Sequence, residues 1–191
     1  YILKSFKTTI KKGQHLLILG PSGSGKTTLI NLIAGLLRPS SGEIYFEKNS
    51  YSSMTDSEID NLRVENFGFI FQKLYLIGHL NVEQNIAIAN TKFGIDKTQI
   101  LIKNLGLDEK KTEKIRNLSH GEAQRVAIAR GVINDPKVIF ADEPTSALDD
   151  RNTKKIMDSI FLQVEETNST LIVCTHDDRV KNRFGNVLEM K

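Results

Sequence analysis

Gly20-Pro21-Ser22-Gly23-Ser24-Gly25-Lys26-Thr27 lies between the apolar run His15-Leu16-Leu17-Ile18-Leu19 and the helix-compatible run Thr28-Leu29-Ile30-Asn31-Leu32-Ile33-Ala34. A strand, a glycine-rich loop and a helix in that order are the setting in which the pattern G-x-x-x-x-G-K-[ST] holds phosphate. Gly20, Gly23 and Gly25 allow backbone conformations closed to residues with a Cβ. Several amide N–H groups can then point into one concavity at a helix start, where the helix dipole also favours an anion. Lys26 adds a positive charge for β- and γ-phosphates, and the Thr27 hydroxyl can ligate Mg²⁺. Residues Gly20 to Thr28 are therefore the expected nucleotide cradle.

The 191 residues suffice for one domain with a substantial core. An apolar fraction of 39% and a charged fraction of 26% are ordinary for a globular chain. The net charge of +3 comes without a long basic block, so electrostatics give no reason to expect a nucleic-acid partner. No apolar stretch is long enough to span a bilayer. The expectation is a soluble protein whose membrane role, if it has one, comes through a partner. The opening at Tyr1 reads as the start of an excised domain. The single cysteine, Cys174, sits in Leu171-Ile172-Val173-Cys174 and reads as a small buried residue.

Two more apolar runs resemble the one before the loop. Val138-Ile139-Phe140-Ala141 ends at Asp142-Glu143, and Leu171-Ile172-Val173-Cys174 ends at Thr175-His176. Continuous apolar runs of this length fit strands buried on both faces, as in a parallel sheet covered by helices. Ligands gather at the carboxyl ends of such strands. Glu43–Glu47 and Phe67–Phe71 instead alternate, and they predict half-exposed antiparallel strands beside the main sheet. From Lys73 to Asp135 the pattern turns helical. Asn81 with Gln84, and Asp96 with Gln99, read as N-caps, and Gly106 reads as a C-cap. Ile156, Ile160, Phe161 and Val164 mark one face of a helix over about 150–166. The final strand is expected at Val187–Met190.

The carboxylates at the second strand end invite chemistry. Asp142 is placed to hold Mg²⁺. Glu143 can polarise a water for attack on the γ-phosphate. His176 ends the next strand and can donate to the γ-phosphate or order the water. Gln72 stands where the helical stretch begins; its amide can ligate Mg²⁺ or hold water, in a place sensitive to subdomain motion. Leu118-Ser119-His120-Gly121-Glu122 then opens an amphipathic helix. Ser119 and Glu122 form an S-x-x-E capping box. The same helix start can also present Ser119, the Gly121 amide and its dipole to a phosphate from outside the chain.

Taken together, these motifs resemble the ATPase domains of ABC transporters along essentially the whole chain. Gly20–Thr27 resembles Walker A, Gln72 the Q-loop, Leu118–Glu122 the signature motif, and Val138–Asp142 Walker B with Glu143 as catalytic glutamate. Ser146-Ala147-Leu148-Asp149 resembles the D-loop, and His176 the switch histidine. Phe140–Thr145 and the compact insertion look most like the lipoprotein-release and macrolide-export group. The resemblance implies an α/β fold of the P-loop NTPase type: a RecA-like core with an antiparallel β subdomain (1–72 and 137–191) and a helical subdomain (73–136).

The resemblance further implies an ATPase using ATP and Mg²⁺, with Thr27, Gln72 and Asp142 at the metal and Lys26, Gln72, Glu143 and His176 in catalysis. Two copies would pair head to tail. Ser119, His120, Gly121, Glu122 and Asp149 would then reach the partner's ATP. A transmembrane subunit would receive the work at the cytoplasmic face of a membrane, docking near Gln72 and the apolar Tyr75, Leu76 and Ile77. The alternative is a soluble ABC-type ATPase acting on DNA or ribosomes. Two departures stand out: His120 and Glu122 replace a glycine and a glutamine of the usual signature. The aromatic residue that stacks adenine in this family has no counterpart in Tyr1, which reads as packing or frayed; the stacking residue is expected upstream of Tyr1.

Overall fold

The computed structural model describes residues 7–146 and 148–191; Tyr1 and Ala147, and the readings that fall on them, lie outside this range. Five parallel strands form the centre: β1 (Leu16–Leu19), β4 (Phe67–Ile70), β5 (Val138–Asp142), β6 (Thr170–Thr175) and β7 (Val187–Glu189), in the order β4-β5-β6-β1-β7. A separate antiparallel pair, β2 (Tyr45–Phe46) and β3 (Asn49–Ser50), stands outside it. Helices α1 (Lys26–Ile33), α2 (Asp56–Asn66), α3 (Val82–Ala87), α4 (Ile95–Asn104), α5 (His120–Val132) and α6 (Asp150–Thr167) complete the regular structure.

The sheet is buried on both faces, as the apolar runs require. In β1, Leu17 and Leu19 join one core with residues of α3, α4, α5 and α6, while Leu16 and Ile18 join a second core with residues of α1 and α2. Along α6, Ile156, Ile160 and Val164 are buried, and Phe161 is half-buried on the same side. Gly106, with φ +64°, closes α4; its N–H donates to Lys103 O and the Leu107 N–H to Ile102 O. Asn81 and Gln84 form a reciprocal capping box on α3.

Two expectations are corrected and one element is new. Phe67–Ile70 is not an antiparallel, half-exposed strand: β4 pairs in parallel with β5, and Phe67, Gly68 and Ile70 are buried. Its apparent alternation comes from Gly68, which is small for a steric reason. A Cβ there would come within 2.1 Å of the Gly131 carbonyl oxygen of α5. Phe67 and Phe69 meanwhile both pack on Phe140, at centroid distances of 5.2 and 5.5 Å. Second, α4 starts at Ile95 with Gly94 as N-cap, so Asp96 lies inside the first turn and caps nothing. Third, α2 has no counterpart in the sequence reading, although Thr55 and Glu58 give it a full capping box and Ile59 and Leu62 anchor it in the second core.

Candidate active site

Register brings the expected residues to one edge. Leu19 aligns with Thr175 and Asp142 with Cys174, so β1, β5 and β6 end side by side. The loop after β1 turns through Gly23 and Gly25, at φ +84° and +92°, into α1. Helix α1 has no side-chain cap and no acidic residue in its first turn, which leaves its positive end unneutralised by the chain itself. Beside it the Ser24 hydroxyl is buried without a partner among the described residues, an unsatisfied group suited to a phosphate oxygen.

Lys26 is 5% exposed. Its ammonium donates to the Gly20 and Pro21 carbonyls at 2.8 and 3.0 Å and faces Glu143 Oε1 at 3.5 Å. Thr27 Oγ1 donates to the two Asp142 oxygens at 3.1 and 3.3 Å. Burial raises the Asp142 carboxyl above its ordinary value, and this outweighs the opposing pull of the Thr27 hydroxyl. A hydroxyl and a carboxylate together are the hard oxygen donors that Mg²⁺ takes alongside substrate phosphates. The residues present therefore fit the ion.

Glu143 continues the β5 ladder, its N–H donating to Cys174 O at 2.7 Å, but its φ is +49°. This left-handed turn sets its side chain among partners: the Thr175 hydroxyl at 2.8 Å and His176 Nδ1 at 3.0 Å. The His176 side chain is 54% exposed, so the imidazole links a buried carboxylate to solvent. Beneath them, Cys174 Sγ donates to the Lys26 carbonyl at 3.5 Å, and burial pushes its thiol up.

Gln72 is exposed, two residues past Ile70, which aligns with Ala141. It shares the edge with Asp142 and Glu143 but makes no hydrogen bond to Thr27, Asp142 or Glu143 among the described residues. The loop after it is gripped from behind. Arg130 of α5 donates to the Leu74 and Tyr75 carbonyls at 2.5 and 2.6 Å, and Asn85 of α3 exchanges bonds with Ile77 at 2.7 and 3.1 Å. Of the three apolar residues expected to form a docking face, Tyr75 is 60% exposed, whereas Leu76 packs against the first core.

The Ser119 segment forms a second locus. Ser119 Oγ accepts from the Glu122 N–H at 3.3 Å, while the Ser119 N–H and O–H both donate to the Glu122 carboxylate at 2.7 Å. These bonds hold the Glu122 carboxyl below its ordinary value. Ser119, His120 and Gly121 line a depression of ≈ 430 Å³ with Leu148, Asp149 and Lys155, and no residue of Gly20–Thr28 reaches it. Asp149 caps α6, accepting from the Asn152 N–H at 2.7 Å.

Sequence reasoning missed the tie between the two strand-end loops. Thr145 Oγ1 donates to Asp177 at 2.8 Å, and Arg179 bridges Asp177, Asp150 and the Leu148 carbonyl at 2.8, 2.5 and 3.2 Å. No pattern announces Arg179 or Asp177. Thr175 had one signal, a hydroxyl closing an otherwise apolar run.

A parallel sheet with a glycine-lined cradle, a buried lysine and a carboxylate pair at its carboxyl edge defines a P-loop nucleoside triphosphatase. Residues 3–146 match the ABC transporter family, and the chain belongs to it. It is 39% identical over its whole length, and 87% of the relative's, to the lipoprotein-releasing system ATP-binding protein LolD of Aquifex aeolicus. It is 36% identical to the macrolide export ATP-binding/permease protein MacB of Vibrio parahaemolyticus, of which it spans 30%. Among solved structures it resembles the dimeric ATP-binding cassette MJ0796 in a post-hydrolysis state bound to ADP and Pi. The TM-score is 0.89 at 34% identity, covering all of this chain and 87% of that one.

Proposed function

We propose that this chain is the ATP-hydrolysing subunit of an ABC transporter, powering a separate transmembrane partner in a lipoprotein-release or export-type system. The carrying observation is the convergence of Lys26, the Thr27–Asp142 pair and the Glu143–His176 pair at the joined ends of β1, β5 and β6. No helix of the described residues is long and apolar enough to cross a membrane. In the proposed assembly a transmembrane partner makes the crossing and this chain works at its cytoplasmic face. The relatives named above are release and export proteins, and work on DNA or ribosomes is set aside.

The loop amides from Gly20 to Thr28 bind the phosphates. Lys26 exchanges its two carbonyl partners for phosphate oxygens. Thr27 and Asp142, joined by Gln72, would hold Mg²⁺, which when bound neutralises charge on the β- and γ-phosphates. Glu143 takes the proton of a water as its oxygen bonds to the γ-phosphorus and the bridging bond to ADP breaks. His176 orients that water and donates to the γ-phosphate. The positive end of α1 stabilises the developing charge.

A second copy completes the site. The depression at Ser119, His120, Gly121 and Asp149 contains no part of its own phosphate loop, and the MJ0796 cassette is a dimer. ATP held between two copies joins them, and loss of the γ-phosphate releases them. The segment 73–136 acts as a helical subdomain on the core formed by 1–72 and 137–191, and its loop from Lys73 to Leu80 receives the transmembrane partner. Phosphate release at saturating ATP tests the reading: Glu143→Gln should lose at least about 100-fold while retaining nucleotide and trapping a dimer in size-exclusion chromatography. Wild-type turnover by that variant would remove Glu143 from the mechanism.

A further inference from the structure

Thr175 is fully buried at the end of β6 and has no role in the mechanism above. Its hydroxyl carries one proton, and its neighbours decide where that proton points. The Asp177 N–H, which can only donate, occupies the oxygen at 3.0 Å. The proton is then directed at Glu143 Oε2, 2.8 Å away. The same residue's carbonyl accepts from the Gly20 N–H at 3.2 Å. Thr175 thus joins the first residue of the phosphate loop to the carboxylate.

The other groups facing Glu143 have competing tasks. Lys26 and the His176 imidazole both turn toward phosphate in the proposed mechanism, and the His176 N–H is distant at 3.4 Å. The Thr175 hydroxyl is fixed within a strand and has no second acceptor among the described residues. We propose that Thr175 is a positioning residue for hydrolysis, holding one oxygen of Glu143 so that the other faces the attacking water. This rests on the reading of Glu143 as the carboxylate that handles water.

Asp177 is anchored independently by Thr145 and Arg179, so removing the hydroxyl leaves the loop supported. The test compares Thr175→Val, Thr175→Ser and Glu143→Gln in steady-state hydrolysis by the full chain, with melting curves recorded for each. Thr175→Val should lower kcat about tenfold with KM within about twofold, and Thr175→Ser should recover most of the loss. A purely structural role would instead lower Tm and shift kcat and KM together. Thr175→Ala is measured in parallel, and kcat must fall in whichever of the two hydroxyl-free variants keeps wild-type nucleotide affinity. Wild-type kcat in that variant, with Glu143→Gln inactive, overturns the positioning role and leaves the Glu143 assignment standing. Wild-type kcat in Glu143→Gln overturns the assignment itself.

Discussion

In the proposed mechanism two helix starts meet phosphate, and they are built differently. Helix α1 begins at Gly25 with no capping side chain, a buried orphan hydroxyl on Ser24 and a buried lysine in its first turn. Helix α5 begins at Ser119 with every element of a capping box, and the Glu122 carboxylate occupies the Ser119 N–H and O–H. The first start offers its positive end and its free donors to an anion from outside the chain. The second already holds one of its own, so a phosphate that approaches it competes with Glu122. In the proposed mechanism tight nucleotide binding therefore belongs to α1, and α5 adds a weaker, displaceable contact suited to an assembly that must come apart.

The largest expected effect breaks the α1 side. Lys26→Met removes the only ammonium in the cradle among the described residues and should weaken ATP binding about 100-fold, as loss of charge-assisted bonds worth roughly 2–3 kcal/mol implies. Titration calorimetry reads this directly, and unchanged affinity would dissolve the contrast between the two helices. On the α5 side, Ser119→Ala should lower hydrolysis about tenfold at saturating ATP while leaving nucleotide affinity of the monomer intact. It also removes a cap worth about 1 kcal/mol, which should appear as a Tm lower by about 3 °C.

Glu122→Gln sharpens the comparison. The capping box survives, because glutamine can fill the same position, but the competing charge is gone. ATP-driven dimerisation of the Glu143→Gln background should then strengthen about threefold, measured by analytical ultracentrifugation. Weaker association would mean that Glu122 assists rather than competes. The smallest effect is on acid stability. Because Ser119 holds the folded-state Glu122 carboxyl below its ordinary value, the cap contributes above the unfolded value and fades as pH falls through the folded one. A Tm-versus-pH series should show a slightly shallower acid limb in Glu122→Gln than in wild type.

Much of this was legible in the chain. The runs before Gly20, Asp142 and Thr175 contain only residues that a two-faced strand accepts; the first gives way to a glycine-rich loop and the other two to polar residues, all at the reactive edge. The capping boxes at Asn81 and Ser119 were readable because their chemistry is local. What escaped was set by distant neighbours. Gly68 mimics the exposed position of an alternating strand, yet it is small because Gly131 presses on it across the β4–α5 contact. Helix α2 is the exception: its Thr55–Glu58 capping box is a local signal that went unread, although its anchors, Ile59 and Leu62, are explained only by the second core beneath them. Thr175, Asp177 and Arg179 act through contacts between loops that are separated from Thr145 and Asp150 by about thirty residues. No local pattern encodes such partners.

The buried thiol under the phosphate loop has a practical side. Thiolate is the species that maleimides and oxidants attack, and Cys174 is both enclosed and held in its protonated form. The folded chain is therefore expected to be silent to thiol reagents without any replacement of its native sulfur. A fluorophore or spin label attached to a cysteine engineered near Tyr75 or His120 would report from that point alone, and any reaction at the native position would signal that the cradle itself had opened.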